Sequence, residues 1–289
     1  MGSRIGQNER IKSGGQFPDL VGITEAIKAM SIEASTFSRI SFELQPPAAR
    51  IRLQNRPLNV IDIAMMDELN AALSEIETLP GIVAVILSGA QKAFSVGVDV
   101  SAHTPDKVEL MLAKFHAVIR ALVASKKVTI AVVHGHCLGG GAELAMVCDL
   151  VYTSELATWG FPEIKLGCFP PVAATALAAL VGQKRAADLV LTGRNITGKE
   201  AASIGLANAV LAEVDLERAV QETVERLSQL SPAALAVSKK AIYAWDSIHF
   251  DKGLARAEKI YFEELMKTED AMEGINAFLE KRAPEWKGK

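Results

Sequence analysis

A short stretch in the middle of the chain carries the residues best suited to chemistry. Val128–Val133 is a β-branched run that predicts a buried strand, and the apolar spacing after Gly141 predicts a helix. Between the two lie Gly135 and the triplet Gly139–Gly141. A strand that turns directly into a helix leaves backbone N–H groups free at the helix start, where they favour negative charge. Because Glu143 lies in the first helical turn, the stretch predicts amides that bind an oxyanion beside a carboxylate that can exchange protons.

The same glycines also have a purely structural explanation. Glycine between a strand and a helix permits a tight turn and close packing, and a glutamate in a first helical turn is favourable in any protein. On the triplet alone the structural explanation is the stronger one. The functional interpretation depends on segments elsewhere in the chain.

Composition limits the class of protein. The chain has 289 residues, 49% of them hydrophobic and 22% charged, with a net charge of -3. These values predict one large α/β domain with a helical appendix, and the absence of a long Lys/Arg run argues against a nucleic-acid partner. Three cysteines without a CxxC pair indicate reduced thiols. With no long apolar segment and no signal-peptide pattern, we expect a cytoplasmic protein with no membrane association.

The order of the predicted elements divides the chain into three parts. Residues 1–35 are expected to be a poorly ordered N-terminal extension, residues 36–213 an α/β core, and residues 214–289 a helical region. The strands of the core are predicted as a hairpin over Ile40–Leu53 and as single strands over Ile82–Leu87, Val128–Val133, Leu150–Thr153 and Ala207–Leu211. Its helices are predicted over Met65–Leu79, Val108–Ala124, Val172–Val181 and Arg185–Leu191, with a further short helix that begins at a capping box, Thr197–Glu200. A loop over Ala93–Asp99 and an irregular segment over Thr158–Gly167 complete the core. The C-terminal helices are predicted at Leu216–Leu230, Pro232–Trp245, Gly253–Lys267 and Asp270–Arg282.

Three segments in this order carry a family resemblance: Ala93–Asp99, Gly135–Glu143 and Trp159–Gly167, followed by the helix at Thr197–Leu206. Together they resemble the crotonase (enoyl-CoA hydratase/isomerase) superfamily, from about Phe37 to Trp286. The resemblance implies an α/β fold of the ClpP/crotonase-like type, a spiral of ββα turns with a C-terminal helical region that mediates oligomerisation.

The resemblance also implies roles for individual residues. The backbone N–H groups of Val98 and Gly140 would form the oxyanion hole that holds the thioester oxygen. Glu143 and Glu163 would be the catalytic acid and base that add water to an α,β-unsaturated thioester, although the sequence leaves open which is which. Relatives that isomerise double bonds, hydrolyse thioesters or decarboxylate usually change one or both of these carboxylates.

Departures from the usual hydratase pattern narrow the subfamily. The segments Phe169–Ala176, Arg56–Asp62 and Ser101–Asp106 resemble the cyclohexa-1,5-dienecarbonyl-CoA hydratases of anaerobic aromatic degradation. The loop at Arg56–Asp62 lacks the lysine that commonly contacts CoA, and Lys92 and Lys281 are the predicted substitutes. The full set of predicted CoA-binding residues is Arg56, Leu58, Lys92, Val96, Asp99 and Lys281. Asp99 is equally well explained as a turn or capping residue.

The resemblance implies an acyl-CoA substrate, no metal, and no cofactor beyond the CoA of the substrate itself. It implies a homotrimer or a homohexamer built as a dimer of trimers. His134 and His136 lack a third ligand at useful spacing, and Tyr261 and Phe262 are predicted to be core or subunit contacts. Three alternatives stay open: a general short-chain enoyl-CoA hydratase, an isomerase or a thioester or ring hydrolase of the same family, and a non-catalytic RNA-binding or scaffold relative.

Overall fold

The larger of two β-sheets has six strands in the order β1-β2-β3-β5-β7-β10. The computed structural model describes residues 37–288, except the side chains of residues 244–249, so the predicted extension over residues 1–35 lies outside the described residues. β1 and β2 pair antiparallel as the predicted hairpin, and the remaining neighbours pair parallel. The strands are β1 (Ile40–Gln45), β2 (Ala48–Leu53), β3 (Ala84–Gly89), β5 (Val128–Val133), β7 (Leu150–Ser154) and β10 (Ala209–Leu211).

The central strands of this sheet are apolar on both faces. Ile86 of β3 is opposite Ile130 of β5, and both residues are 1% exposed or less. Parallel strands covered on both sides need such continuous apolar runs, which is why the sequence predicts them well.

A smaller sheet has four strands in the order β4-β6-β8-β9. Its first three strands are mutually parallel, and β8 and β9 pair antiparallel. The strands are β4 (Ala93–Ser95), β6 (His136–Leu138), β8 (Thr158–Gly160) and β9 (Asn195–Thr197). The predictions of a loop over Ala93–Asp99 and of an irregular segment over Thr158–Gly167 were therefore wrong at β4 and β8. Strands of three residues are too short to show a side-chain alternation.

Helices follow most of the predicted bounds, with local capping as expected. Asp62 accepts a hydrogen bond from the Met65 amide, and Thr197 accepts one from the Glu200 amide at 3.2 Å. The helices are α1 (Ile63–Thr78), α2 (Val108–Ala124), α3 (Gly140–Met146), α4 (Pro171–Val181), α5 (Gln183–Thr192), α6 (Gly198–Ser203), α7 (Leu216–Ser228), α8 (Pro232–Glu263) and α9 (Glu269–Leu279).

The prediction of two helices over Pro232–Trp245 and Gly253–Lys267 was wrong, because α8 runs without a break from Pro232 to Glu263. Gly253 is a packing residue within this helix. A Cβ atom on Gly253 would lie 2.7 Å from the side chain of Thr175 in α4, so the missing side chain lets the two helices approach closely.

Buried polar contacts join α8 to the core. The Lys239 Nζ atom, on a residue that is 7% exposed, lies 2.8 Å from Asp149 Oδ2 and donates to the carbonyls of Leu122 and Lys127 at 3.3 and 3.1 Å. No helix in the described range is long and apolar enough to cross a bilayer.

Candidate active site

The geometry of the site follows from the smaller sheet. β4, β6 and β8 are parallel neighbours, so their carboxyl ends meet at one edge, the usual place for ligands in parallel sheets. β4 leads into Val98, β6 leads into Gly140, and β8 leads into Glu163. These three residues and Glu143 line a single cavity of about 80 Å³.

Two backbone amides lie side by side in this cavity. The Ile61 amide donates to the Gly97 carbonyl at 2.9 Å, and the Asp99 amide donates to the Ile61 carbonyl at 3.1 Å, so the Val98 N–H faces away from Ile61. Gly140 is the first residue of α3, where the N–H has no helical acceptor. A Cβ on Gly140 would lie 3.4 Å from the Val98 nitrogen, and within the described part of the chain neither N–H donates to a protein acceptor. The two amides are therefore adjacent, unused donors.

Gly139 shows why the triplet contains no side chains. Its φ angle is +55°, and a Cβ atom there would lie 2.7 Å from Glu163 Oε1. Glycine at this position both adopts the left-handed backbone and lets the Glu163 carboxyl group cover the turn.

Glu143 is buried against the start of another helix. It is 3% exposed, and its Oε1 atom accepts a hydrogen bond of 2.9 Å from the Ala173 amide in the first turn of α4. Burial raises the pKa of Glu143 to about 7, while the amides of Ala173 and Val172 oppose the shift. Because hydrogen bonds to helix-start amides favour the anion, Glu143 is the group of this site most easily ionised.

Glu163 has the opposite environment. Its Oε2 atom is inaccessible to solvent and has no hydrogen-bond partner in the described residues. Burial, and then the negative charge of Glu143, raise the pKa of Glu163 to about 8. Two nearby carboxylates that resist double ionisation hold one proton between them near neutral pH, and the environments place it on Glu163.

The walls around these polar groups are mainly apolar, with His103 as a further polar residue of the lining. α2 supplies Met111, Leu112 and Phe115, and the segment before α4 supplies Phe169 and Pro170. Such a lining suits a hydrocarbon group of a ligand.

The residues predicted to contact CoA are less tightly grouped. Val96 lines the cavity, and its amide donates to the Leu58 carbonyl at 3.2 Å, which places the loop of Arg56 and Leu58 against it. The Asp99 carboxylate accepts from the Ser101 amide at 2.9 Å and from its hydroxyl at 2.8 Å, the capping role that the sequence also allowed. Arg56, Lys92 and Lys281 are exposed and do not line the cavity.

Sequence reasoning missed Asn59 as a determinant of the site. Asn59 is fully buried with φ +56°, and its Nδ2 atom donates to the Ala93 carbonyl at 2.8 Å and to the Phe94 carbonyl at 3.2 Å. Its own carbonyl accepts from the Ser95 hydroxyl at 2.7 Å. These bonds fix the exit of β4, and hence the Val98 amide. An asparagine in a short loop is a signal for such left-handed backbone, although not for its partners.

A larger cavity lies away from these groups. It has a volume of about 660 Å³ and is lined mainly by apolar residues of α4 and α8, including Ala176, Leu180 and Ile260. Neither glutamate of the pair and neither free amide reaches it. The candidate active site is therefore the smaller cavity.

Comparison with known proteins agrees with this geometry. The family model described as enoyl-CoA hydratase/isomerase matches residues 44–289. The chain belongs to this family. Among solved structures, an enoyl-CoA hydratase/isomerase from Xanthobacter autotrophicus Py2 superposes with a TM-score of 0.79 at 30% identity, covering 85% of this chain and 94% of that one. The crotonase-type α/β fold and an enzyme of the enoyl-CoA hydratase type are thereby confirmed.

Two curated relatives of the family differ in their named substrates. The chain is 36% identical over 257 residues to a cyclohexa-1,5-dienecarbonyl-CoA hydratase from Thauera aromatica, covering 89% of this chain and 99% of the relative. It is 37% identical over 237 residues to a probable enoyl-CoA hydratase from Rhizobium meliloti (strain 1021), covering 81% and 92%. Overall identity therefore does not distinguish between the two substrates.

Proposed function

We propose that this enzyme adds water reversibly to an α,β-unsaturated CoA thioester. We further propose that its preferred substrate is cyclohexa-1,5-diene-1-carbonyl-CoA, an intermediate of anaerobic aromatic degradation. One observation carries the proposal: two glutamates, the buried Glu143 and the partly buried Glu163, share a cavity with the free amides of Val98 and Gly140. Hydration needs an acid, a base and an oxyanion site together, and this cavity offers all of them.

The amides of Val98 and Gly140 would bind the thioester oxygen. When the hydroxide equivalent attacks the β-carbon, electrons move onto this oxygen and the substrate becomes an enolate. Preorganised donors in a site that excludes water stabilise such charge, each lowering the barrier by about 3 kcal/mol.

The environments of the two carboxyl groups support the following roles in the forward reaction. Glu143, ionised at the start of α4, would take a proton from water while the oxygen bonds to the β-carbon. Glu163, protonated by burial and by its neighbour's charge, would give its proton to the α-carbon. The substrate thus gains one water, and the pair returns to its starting state by moving one proton from Glu143 to Glu163.

This chemistry calls for no further cofactor, because adding water changes no net oxidation state. The CoA group would be held as part of the substrate. We propose Val96, Leu58 and Arg56 as the first contacts on leaving the cavity, with Asp99, Lys92 and Lys281 farther along the CoA. The connected position of Val96 and Leu58 supports this order.

We also propose that the chain assembles into homotrimers or into homohexamers made of two trimers. The support is a set of exposed apolar side chains on α4 and α8: Leu180, Val237 and Ile242 are 44%, 67% and 70% exposed. Cytoplasmic location is supported by three buried, unpaired cysteines, which suit a reducing compartment.

A direct assay tests the substrate. The purified enzyme is incubated with crotonyl-CoA or with cyclohexa-1,5-diene-1-carbonyl-CoA in ¹⁸O-labelled water, and products are followed by mass spectrometry. We expect one ¹⁸O per product molecule and a kcat/KM at least about 100-fold higher for the cyclic substrate, since pocket shape and positioning together give such factors. A preference for crotonyl-CoA would favour the general short-chain hydratase. Unlabelled isomers or free CoA would favour the isomerase or hydrolase alternatives, and no turnover would favour a non-catalytic relative.

A further inference from the structure

Tyr261 contributes a hydroxyl group that the proposed mechanism leaves unused. It lies on α8 and is 1% exposed, with its ring packed edge-on against Phe169 at a centroid distance of 5.3 Å. Among the residues that the structure describes, the hydroxyl has no hydrogen-bond partner. The Cys168 thiol lies close to it but forms no hydrogen bond of normal geometry with it. A buried hydroxyl without a hydrogen-bond partner lowers the stability of the fold, so a functional reason for the Tyr261 hydroxyl is expected.

The hydroxyl belongs to the active-site cavity. Tyr261 lines the same cavity as Glu143 and Glu163, and the charges of both carboxylates help to raise the pKa of Tyr261, after burial and the nearby Cys168. The phenol therefore stays protonated and can donate a hydrogen bond at any pH of interest. Glu163 Oε2, the other unpartnered oxygen of the described residues in this cavity, is an acceptor or a proton donor.

Packing does not explain why this residue is a tyrosine. The ring fills space between Phe169 and Phe262, which a phenylalanine would fill equally well. The hydroxyl adds a polar atom to a wall that is otherwise apolar on this side, formed by Leu166, Phe169 and Pro170. A polar group in an apolar wall contributes to specificity when it forms a hydrogen bond with a polar atom of the ligand.

We propose that the Tyr261 hydroxyl is a third hydrogen-bonding group for the oxygen that is added to the substrate. It would hold the attacking water together with Glu143 and Glu163, and after addition it would bind the new hydroxyl of the product. This inference rests on the proposed hydration and assigns a catalytic residue to α8, a helix outside the loops of the two sheets.

The test compares Tyr261→Phe with Tyr152→Phe. Tyr152 lies on β7, and its hydroxyl forms a 2.7 Å hydrogen bond with the Thr223 hydroxyl, outside the active-site cavity. Tyr261→Phe removes a hydroxyl without an internal partner, so its thermal midpoint should be unchanged or higher, while its kcat/KM for hydration should fall about tenfold or more. Tyr152→Phe should show the reverse, a lower midpoint with unchanged kcat/KM.

Binding measurements separate this inference from the proposed function. By calorimetry, the wild-type protein should bind 3-hydroxybutyryl-CoA more tightly than butyryl-CoA, and Tyr261→Phe should lose most of that difference, about a factor of ten. Loss of the difference supports the role of Tyr261 whether or not turnover is seen. Two results would overturn it: a Tyr261→Phe variant with full activity and an unchanged hydroxyl preference, or one whose midpoint falls as far as that of Tyr152→Phe. Absence of any turnover in the wild type would instead refute hydration itself.

Discussion

The two glutamates of the candidate site have different surroundings because different elements contact them. Glu143 accepts a hydrogen bond from the start of α4, which favours its anion, whereas Glu163 keeps one oxygen unpartnered and faces the charge of Glu143. The sequence identifies both carboxylates through the family motifs but leaves their roles open. The roles depend on contacts with Ala173, thirty residues away from Glu143, and no local pattern reports such contacts.

Hydration should depend on pH in a bell shape. The pKa values of the pair are raised to about 7 for Glu143 and about 8 for Glu163, so only the singly protonated pair has both a base and an acid. Below the lower value the base is lost, and above the higher value the acid is lost, so kcat/KM should fall on both sides of this window.

The control for this profile is the binding of butyryl-CoA, which cannot react, measured over the same pH range. Constant binding would assign both limbs to chemistry. A flat kcat/KM across the pH range in which the protein stays folded would show that the two carboxyl groups do not share a proton.

Gly140→Ala should damage the oxyanion site without unfolding the helix. Gly140 does not have a positive φ angle, so alanine fits the backbone, but its methyl group would lie 2.7 Å from Val98 Cγ2 and 3.2 Å from Phe115. We expect kcat to fall about 100-fold with a smaller change in KM, because one donor is displaced from the developing charge.

A double variant tests whether the clash with Val98 causes this loss of kcat. In Val98→Ala/Gly140→Ala the clashing methyl is removed while the amide of residue 98 is kept, so at least about tenfold of the lost kcat should return. Failure of the double variant to recover would mean that the amide pair is not what the alanine disturbs.

At the scale of elements, predictability follows segment length. Val128–Val133 and Val108–Ala124 have the predicted bounds, because a long apolar run or a long helical period is a strong signal. β4, β6, β8 and β9 have three residues each, and their sheet exists only through pairing between distant segments. The sheet that positions the candidate site was therefore the part of the fold that sequence reasoning could not supply.

The continuous helix α8 is the other element that the sequence did not predict. The sequence analysis started a new helix at Gly253, but this glycine lies inside α8 and lets α4 approach closely. Tyr261 was predicted only as a core or subunit contact, since its position in the cavity depends on how α8 packs. Both cases show tertiary contacts that override a local signal.

Lys239 should be the main polar anchor of α8. Its ammonium group contacts Asp149 and two backbone carbonyls in a buried site, so Lys239→Met would leave a buried carboxylate without its cation. We expect the free energy of unfolding, measured in urea, to fall by about 3 to 5 kcal/mol. The neighbouring Lys240 is exposed, and Lys240→Met should change it by less than about 0.5 kcal/mol. Equal effects of the two substitutions would refute the anchor.

At the scale of the whole molecule, the comparisons establish the fold and the class of enzyme but leave the acyl group of the substrate as a proposal. The family match over residues 44–289 and the superposition at a TM-score of 0.79 establish the fold and the class of enzyme. Neither decides which unsaturated acyl-CoA is the substrate, because relatives with different names have nearly the same identity to this chain, 36% and 37%. We expect substrate choice to depend on the cavity wall, to which α2, α4 and α8 all contribute residues.

Assembly is tested by mass. Light scattering after size-exclusion chromatography should give three or six times the 30.9 kDa of the single chain. The physical reason is the cost of leaving large apolar side chains such as Val237 and Ile242 in water. A single species of 30.9 kDa at micromolar concentration would contradict the proposed oligomer.

The most direct test of the central claim replaces each glutamate with glutamine and measures turnover and binding in the same preparation. Glutamine keeps the size of the side chain but can neither take nor give the required proton. We expect Glu143→Gln and Glu163→Gln each to lose about 10²- to 10⁴-fold in kcat for hydration, while the Kd for butyryl-CoA stays within about threefold of the wild type. Wild-type turnover in either variant would contradict the central claim.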